Sequence, residues 1–212
     1  MTRVPSPAGV GSPWDADGMQ PVDPLTSAVL SAIILIALVV VLVFSLLGVR
    51  RPSTTTMAIC AVLLVAAVTI VIVVRPIAIP AIAVPLTVIG IGAATIGGNP
   101  FTRRTLDIAT GRRVRETEDG GILIVAAQHA DPSHARTLMR GGTVIGYLER
   151  ICTVLAIAVG FPEVIAAIIA VKGIGRFPEL AEAEARERFI IGTLASLLWA
   201  GVIGLILRLI LG

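Results

Sequence analysis

Four charged residues interrupt the otherwise apolar stretch Gly141 to Arg176: Glu149, Arg150, Glu163 and Lys172, with Arg176 closing it. A charge placed at the centre of a membrane helix costs about 2.5–3.5 kcal/mol on insertion scales unless it finds a partner or water. Charges in such positions either lock helices together or form an ion, proton or lipid-headgroup site. Lys172 is the one lysine among 17 basic residues; the rest are arginines. An ammonium is compact and can be deprotonated by burial, whereas a guanidinium stays charged, so Lys172 is a candidate for chemistry as well as for pairing. The chain can bend at Gly160-Phe161-Pro162 between these charges. A bend there brings Lys172 back towards Glu149, and the pairs to expect first are Glu149–Lys172 and Arg150–Glu187.

Other chemistry is thinly represented. His129 and His134 flank Asp131-Pro132-Ser133, but neither cysteines nor helical i,i+4 spacing accompany them, so no metal site is expected. Gly141-Gly142 and Gly173-Ile174-Gly175 are not followed by the Gly-Lys-Ser/Thr of a phosphate loop, so no nucleotide cofactor is implied. Cys60 and Cys152 both lie in apolar runs and read as small core residues. The sequence holds no nucleophile–base–acid constellation, and no cofactor is expected.

The elements that must position the charges follow from composition. The 212 residues are 56% hydrophobic and 15% charged, whereas soluble domains sit near 45–50% and about 25%. The excess lies in long uncharged runs, which reads as an all-α polytopic membrane protein. Residues 1–24, rich in Pro, Gly and Asp and without apolar periodicity, are expected to be a disordered extracytoplasmic tail. Residues 25–98 hold three spans, Leu25–Val49, Met57–Val74 and Ile77–Gly98, stopped by Arg50-Arg51-Pro52 and Arg75-Pro76. Pro85 is placed to kink the third. Residues 99–140 make a polar loop with seven arginines. Arg103, Arg104, Arg112 and Arg113 are its candidate lipid-headgroup contacts. Its segments 112–117 and 122–127, joined by Glu118-Asp119-Gly120-Gly121, read as a small β-hairpin. Residues 141–212 hold a helical hairpin, a surface helix over Phe177–Arg188 and a last span over Phe189–Leu211. On that span Gly192, Ser196, Ala200 and Gly204 recur every four residues and make a smooth face for packing.

Basic residues in short loops mark the cytoplasmic side. Arg50-Arg51 and the seven-arginine loop then lie inside, with Arg75 and the N-terminus outside. One span over Ile151–Val171 would strand Lys172, Arg176, Arg186 and Arg188 outside. A hairpin bent at Pro162 keeps them inside. Each arm then has about ten uncharged residues, about 15 Å, half of a bilayer core. The arms are either re-entrant or, with helix running further and charges buried, closer to full crossings.

The runs GGTVIGYLERICTVL, GFPEVIAAIIAVKGIGRFPEL and ERFIIGTLASLLWA resemble the C-terminal module of uncharacterised bacterial multi-pass membrane proteins, some of them phage-associated. The shared order is Gly-x-x-Ile-Gly-x-Leu-Glu-Arg, an apolar return ending in Lys and Arg, and an Ile-Gly-Thr-Leu-x-Ser span. The resemblance covers about a third of the chain and implies no activity, but singles out Glu149, Arg150, Lys172 and Arg176. The expectation is a bacterial inner-membrane protein, a non-enzymatic subunit or scaffold with a membrane-protein partner or a second copy of itself. The alternative is a small transporter or channel using Glu149 and Lys172; an embedded enzyme comes third, and nucleic acid is not an expected partner.

Overall fold

The computed structural model describes residues 23–50, 53–75, 78–110 and 142–212. They form α1 (Pro24–Arg50), α2 (Thr54–Val74), α3 (Pro80–Thr110), α4 (Gly142–Val159), α5 (Val164–Gly175), a short 3-10 turn (Phe177–Leu180) and α6 (Ala183–Leu211). None of the described residues is in a strand. The β-hairpin expected over 112–127 lies outside the described residues, as do the N-terminal tail up to residue 22, Arg112, Arg113 and the two histidines.

α1 shows how an uncharged run becomes a packed helix. Ser27, Ser31, Ile34, Leu38, Val41 and Ser45 are buried, at alternating spacings of four and three, and Gly48 continues the series. That spacing keeps one narrow seam facing neighbours, and its serines and glycine admit close approach. Val29, Ile36, Val43 and Leu47 lie between them and are exposed. α2 repeats the device with Cys60, Leu64, Ala67 and Val71. An apolar outer surface around a seam of small residues suits a lipid solvent, in which helices satisfy their own backbone.

Five helices, α1, α2, α3, α4 and α6, are long and apolar enough to cross a membrane. α5 has 12 residues, about 18 Å, and falls short of the about 30 Å of hydrocarbon. Neighbouring contacts fix the directions. Gly48 lies against Pro100 and Gly92 against Leu42, so α1 and α3 run the same way. Gly90 lies against Leu207 and Gly192 against Thr102, so α6 runs opposite to α3. Gly204 lies against Val154 and Gly160 against Arg208, so α4 runs with α6.

α6 is the central helix. Its buried residues include Thr193, Ser196, Trp199, Ala200, Ile203, Gly204, Leu207 and Ile210. Three helices meet at Gly97. The indole N–H of Trp199 donates to the Ala93 carbonyl across 3.1 Å, and Gly97, one turn on, leaves room for the ring. A Cβ at Gly97 would sit 2.6 Å from Trp199 Cζ2 and 2.7 Å from Ser45 Oγ. Phe101 stacks on the same indole, ring centroids 5.1 Å apart.

Two boundaries differ from the sequence reading. α3 does not stop at Gly98 but continues through Pro100 to Thr110. An Asn-Pro pair reads as a stop, yet Phe101 docks on Trp199 and Leu106 is buried against Gly192, which holds the extra turns. Arg103 and Arg104 therefore sit on a helix rather than a loop, with Arg104 3.7 Å from Asp107. The surface helix expected over Phe177–Arg188 is instead the short turn plus the first turns of α6. Within this segment Glu184 and Arg188 pair at 2.6 Å, and Arg186 donates to the Leu180 and Ala181 carbonyls. α4, an 18-residue helix that carries Glu149 and Arg150 within it, is the longer of the two versions of this arm that the sequence leaves open.

The Gly97 junction predicts an asymmetry between glycines. Gly97→Val should cost about 1–3 kcal/mol through overpacking and lower the melting temperature in detergent. Gly173→Ala should leave it unchanged, because a Cβ there meets nothing within 4 Å. Equal tolerance at both positions would contradict the packing described.

Candidate functional site

The site begins with the bend after α4. Gly160 has φ +85°, a left-handed conformation that glycine adopts without a Cβ clash. Its N–H bonds the Ile157 carbonyl at 3.1 Å and the next N–H, of Phe161, reaches back to Ala156 at 2.8 Å. These two bonds close the end of α4 as a Schellman cap. Arg208 of α6 lies over Gly160 and donates to the Ala158 carbonyl at 3.4 Å, a cation at the negative end of a helix. Pro162 then enters the turn that leads into α5, with Glu163 as the residue preceding the helix.

The bend turns α5 back along α4 and returns Lys172 to Glu149. Lys172 Nζ lies 2.6 Å from Glu149 Oε2, the expected pair. The Glu149 side chain is 9% exposed and that of Lys172 19%. The ammonium also faces the Phe189 ring of α6, 5.8 Å from its centroid, so one contact set ties α4, α5 and α6 together.

Arg150 does not pair with Glu187. It turns the other way, into the junction with α3. Its Nε donates to the Gly146 carbonyl at 2.8 Å and its Nη2 to Asn99 Oδ1 at 2.5 Å. Asn99 Nδ2 in turn lies 3.4 Å from the Tyr147 hydroxyl. The guanidinium is 5.5 Å from the Tyr147 ring centroid. Gly98 makes room for it, since a Cβ there would fall inside the guanidinium, and Gly146 does the same for Nη2. Arg150 is 3% exposed, and its Nη1 has no hydrogen-bond partner.

Glu149, Arg150 and Lys172 are thus brought together with Asn99, Tyr147 and Phe189. Arg176 caps α5 one turn beyond Lys172. Glu163 is exposed at the opposite end of the hairpin and takes no part. The small-residue face of α6 divides its work: Gly192 faces Thr102 and Leu106 of α3, Gly204 faces Val154 and Ile157 of α4, and Ser196 and Ala200 are buried between. Among the described residues no cluster of His, Cys, Asp and Glu could hold a metal. Asn99, Tyr147 and Gly98 were not singled out in the sequence. The available signal was a polar Asn at the end of an apolar run, preceded by two glycines.

The fold and site define a multi-pass membrane protein whose described residues are helical, with a charged cluster between its helices. The chain matches no family model, and no curated protein and no solved structure matches it.

The ion pair can be tested by a double-mutant cycle. Glu149→Gln and Lys172→Gln should each destabilise the protein by about 1.5–3 kcal/mol, the range for hydrogen bonds to charged groups. The double variant should lose clearly less than the sum. Strictly additive losses in detergent melts would show that the two side chains do not interact.

Proposed function

We propose that the protein is a non-enzymatic membrane subunit or scaffold of the bacterial inner membrane, with its N-terminus outside and the 99–140 connection inside. The observation that carries this reading is the closed Glu149–Lys172 pair at 2.6 Å, which joins α4 to α5 and leaves both charges engaged with each other. Packing supports it too. α6 spends its small residues on α3 and α4, while Val62, Val65 and Val73 of α2 and Val84 and Val88 of α3 face outward. The clustering of Arg103, Arg104, Lys172, Arg176, Arg186 and Arg188 at one end of the bundle favours that end as the cytoplasmic one.

In this reading α4 and α5 form a re-entrant hairpin. Glu149 and Lys172 lie near the level where α1 ends, because Asn99 holds Arg150 and the adjacent Pro100 touches Gly48. From there to Val159 the helix climbs about 15 Å, half of the hydrocarbon. Arg103 and Arg104, on the last turns of α3, stand beyond that level, where anionic headgroups would meet them.

A small transporter or channel is the alternative, and it requires a wet path to Glu149 and Lys172. One cleft among the described residues, at the α1–α2 end, is bordered by Met57, Cys60, Gly97, Pro100, Phe101 and Trp199.

Extraction in mild detergent tests the proposal. A stoichiometric membrane-protein partner, or a stable assembly of copies, should co-purify with the wild type and equally with Lys172→Arg, which keeps the charge pair. A lone monomer would contradict the scaffold reading. Loss of a measured ion or solute flux in Lys172→Arg, with insertion intact, would favour transport.

A further inference from the structure

We infer that Arg150, Asn99 and Tyr147 form a binding site for an oxyanion, the phosphate group of a phospholipid headgroup. Cations outnumber carboxylates in this cluster: Arg150 and Lys172 face Glu149. Glu149, the carboxylate next to Arg150 in sequence, is engaged by Lys172. Arg150 is left as a buried cation whose partners are a carbonyl and an amide, both neutral. Glu149 attracts Arg150 as well, but one carboxylate faces two cations, and the excess buried charge is unfavourable. Elsewhere at this end of the bundle Arg104 has Asp107 and Arg188 has Glu184.

The hydrogen bonds indicate which chemistry is missing. Arginine can only donate, so the bond from Nη2 fixes the Asn99 side chain with its oxygen towards Arg150. The Asn99 NH₂ group then faces Tyr147 and donates to its hydroxyl. That hydroxyl, already accepting, keeps its own proton to give. The chain Arg150–Asn99–Tyr147 therefore ends in unused donors: the N–H groups of Nη1, which have no partner, and the Tyr147 O–H. Donors of this kind, beside a whole positive charge, call for a negatively charged acceptor with more than one oxygen. A phosphate suits them, because its several oxygens can accept from Nη1 and from the Tyr147 O–H together, and hydrogen bonds to an ionised acceptor are the strong ones.

The backbone is shaped around the same group. Gly98 and Gly146 stand where a side chain would strike the guanidinium. Position narrows the source. Asn99-Pro100 lies level with the end of α1, at the edge of the apolar slab, where lipid phosphates reside. Tyr147 is half-buried, and a phenol at the bilayer edge is placed with its ring in the apolar region and its hydroxyl towards the headgroups. The guanidinium lies against Gly98, and the half-buried Tyr147 hydroxyl marks the side from which the phosphate approaches.

The test is native mass spectrometry of the full chain released from bilayers containing phosphatidylglycerol and phosphatidylcholine. Wild type should retain one phosphatidylglycerol. Arg150→Gln should weaken retention about tenfold, the effect of losing about 1.4 kcal/mol, and Tyr147→Phe should weaken it about threefold. If Arg150→Gln does not fold, Tyr147→Phe carries the test, since it keeps the ring and removes only the donor. Inorganic phosphate is the second arm: Arg150-dependent protection against unfolding by phosphate alone, without lipid retention, would assign the site to a soluble anion and overturn the lipid source. Equal lipid retention in wild type and the variants would overturn the site itself.

Discussion

Glu149 and Lys172 set the most demanding condition on this chain. Each is a full charge inside a run of apolar helix, and a charge buried between helices needs a partner. They are 23 residues apart in sequence and 2.6 Å apart in space. Only a chain that reverses between them can bring them together. The left-handed Gly160, the double backbone bond that caps α4 and the proline two residues on supply that reversal. Arg208 steadies it from α6. The bend and the ion pair are thus two ends of one device, the first making the geometry and the second closing it.

Close approach of backbones is the other organising feature. Inside a bilayer the hydrophobic effect no longer drives helices together, so packing and interhelical hydrogen bonds carry the association. Gly97 lets Trp199 reach the carbonyl of Ala93, and Gly204 lets α6 lie on the backbone of α4. Gly98 makes the same allowance for a charged group, Arg150. α3 meets both requirements at once, an apolar junction with α6 at Gly97 and a polar one with α4 beginning two residues later at Asn99. That adjacency places the charged cluster at the boundary between the packed interior and the turns that extend past it.

Much of this was legible in the sequence. The runs of uncharged residues gave α1, α2 and the body of α3, because length and the absence of charge decide membrane helices almost by themselves. The Gly160-Phe161-Pro162 break and the opposite signs of Glu149 and Lys172 gave the hairpin and its pair. The four-residue spacing of Gly192, Ser196, Ala200 and Gly204 gave the packing face of α6. What failed did so for identifiable reasons. Pro100 looked like a stop because a local rule says so, while Phe101 and Leu106, docked on α6, override it. Arg150 was assigned to Glu187 on charge alone; the nearer hydrogen-bonding group was Asn99, 51 residues away, and an asparagine beside a proline gives little sign of a long-range contact. The serines of α1 stood at seam spacing in plain view, but in an unbroken apolar run only a neighbouring helix reveals which spacing matters.

The most direct measurement asks whether the two ends of the hairpin share a face of the membrane. In a background with Cys60 and Cys152 replaced by serine, Gly142→Cys and Ile174→Cys would be labelled in intact cells and in inverted vesicles with an impermeant maleimide. The account predicts that both positions react from one side, the side exposed in inverted vesicles. Labelling of the two positions from opposite sides would mean that the chain crosses between them, and the paired return of α5 along α4 would be refuted.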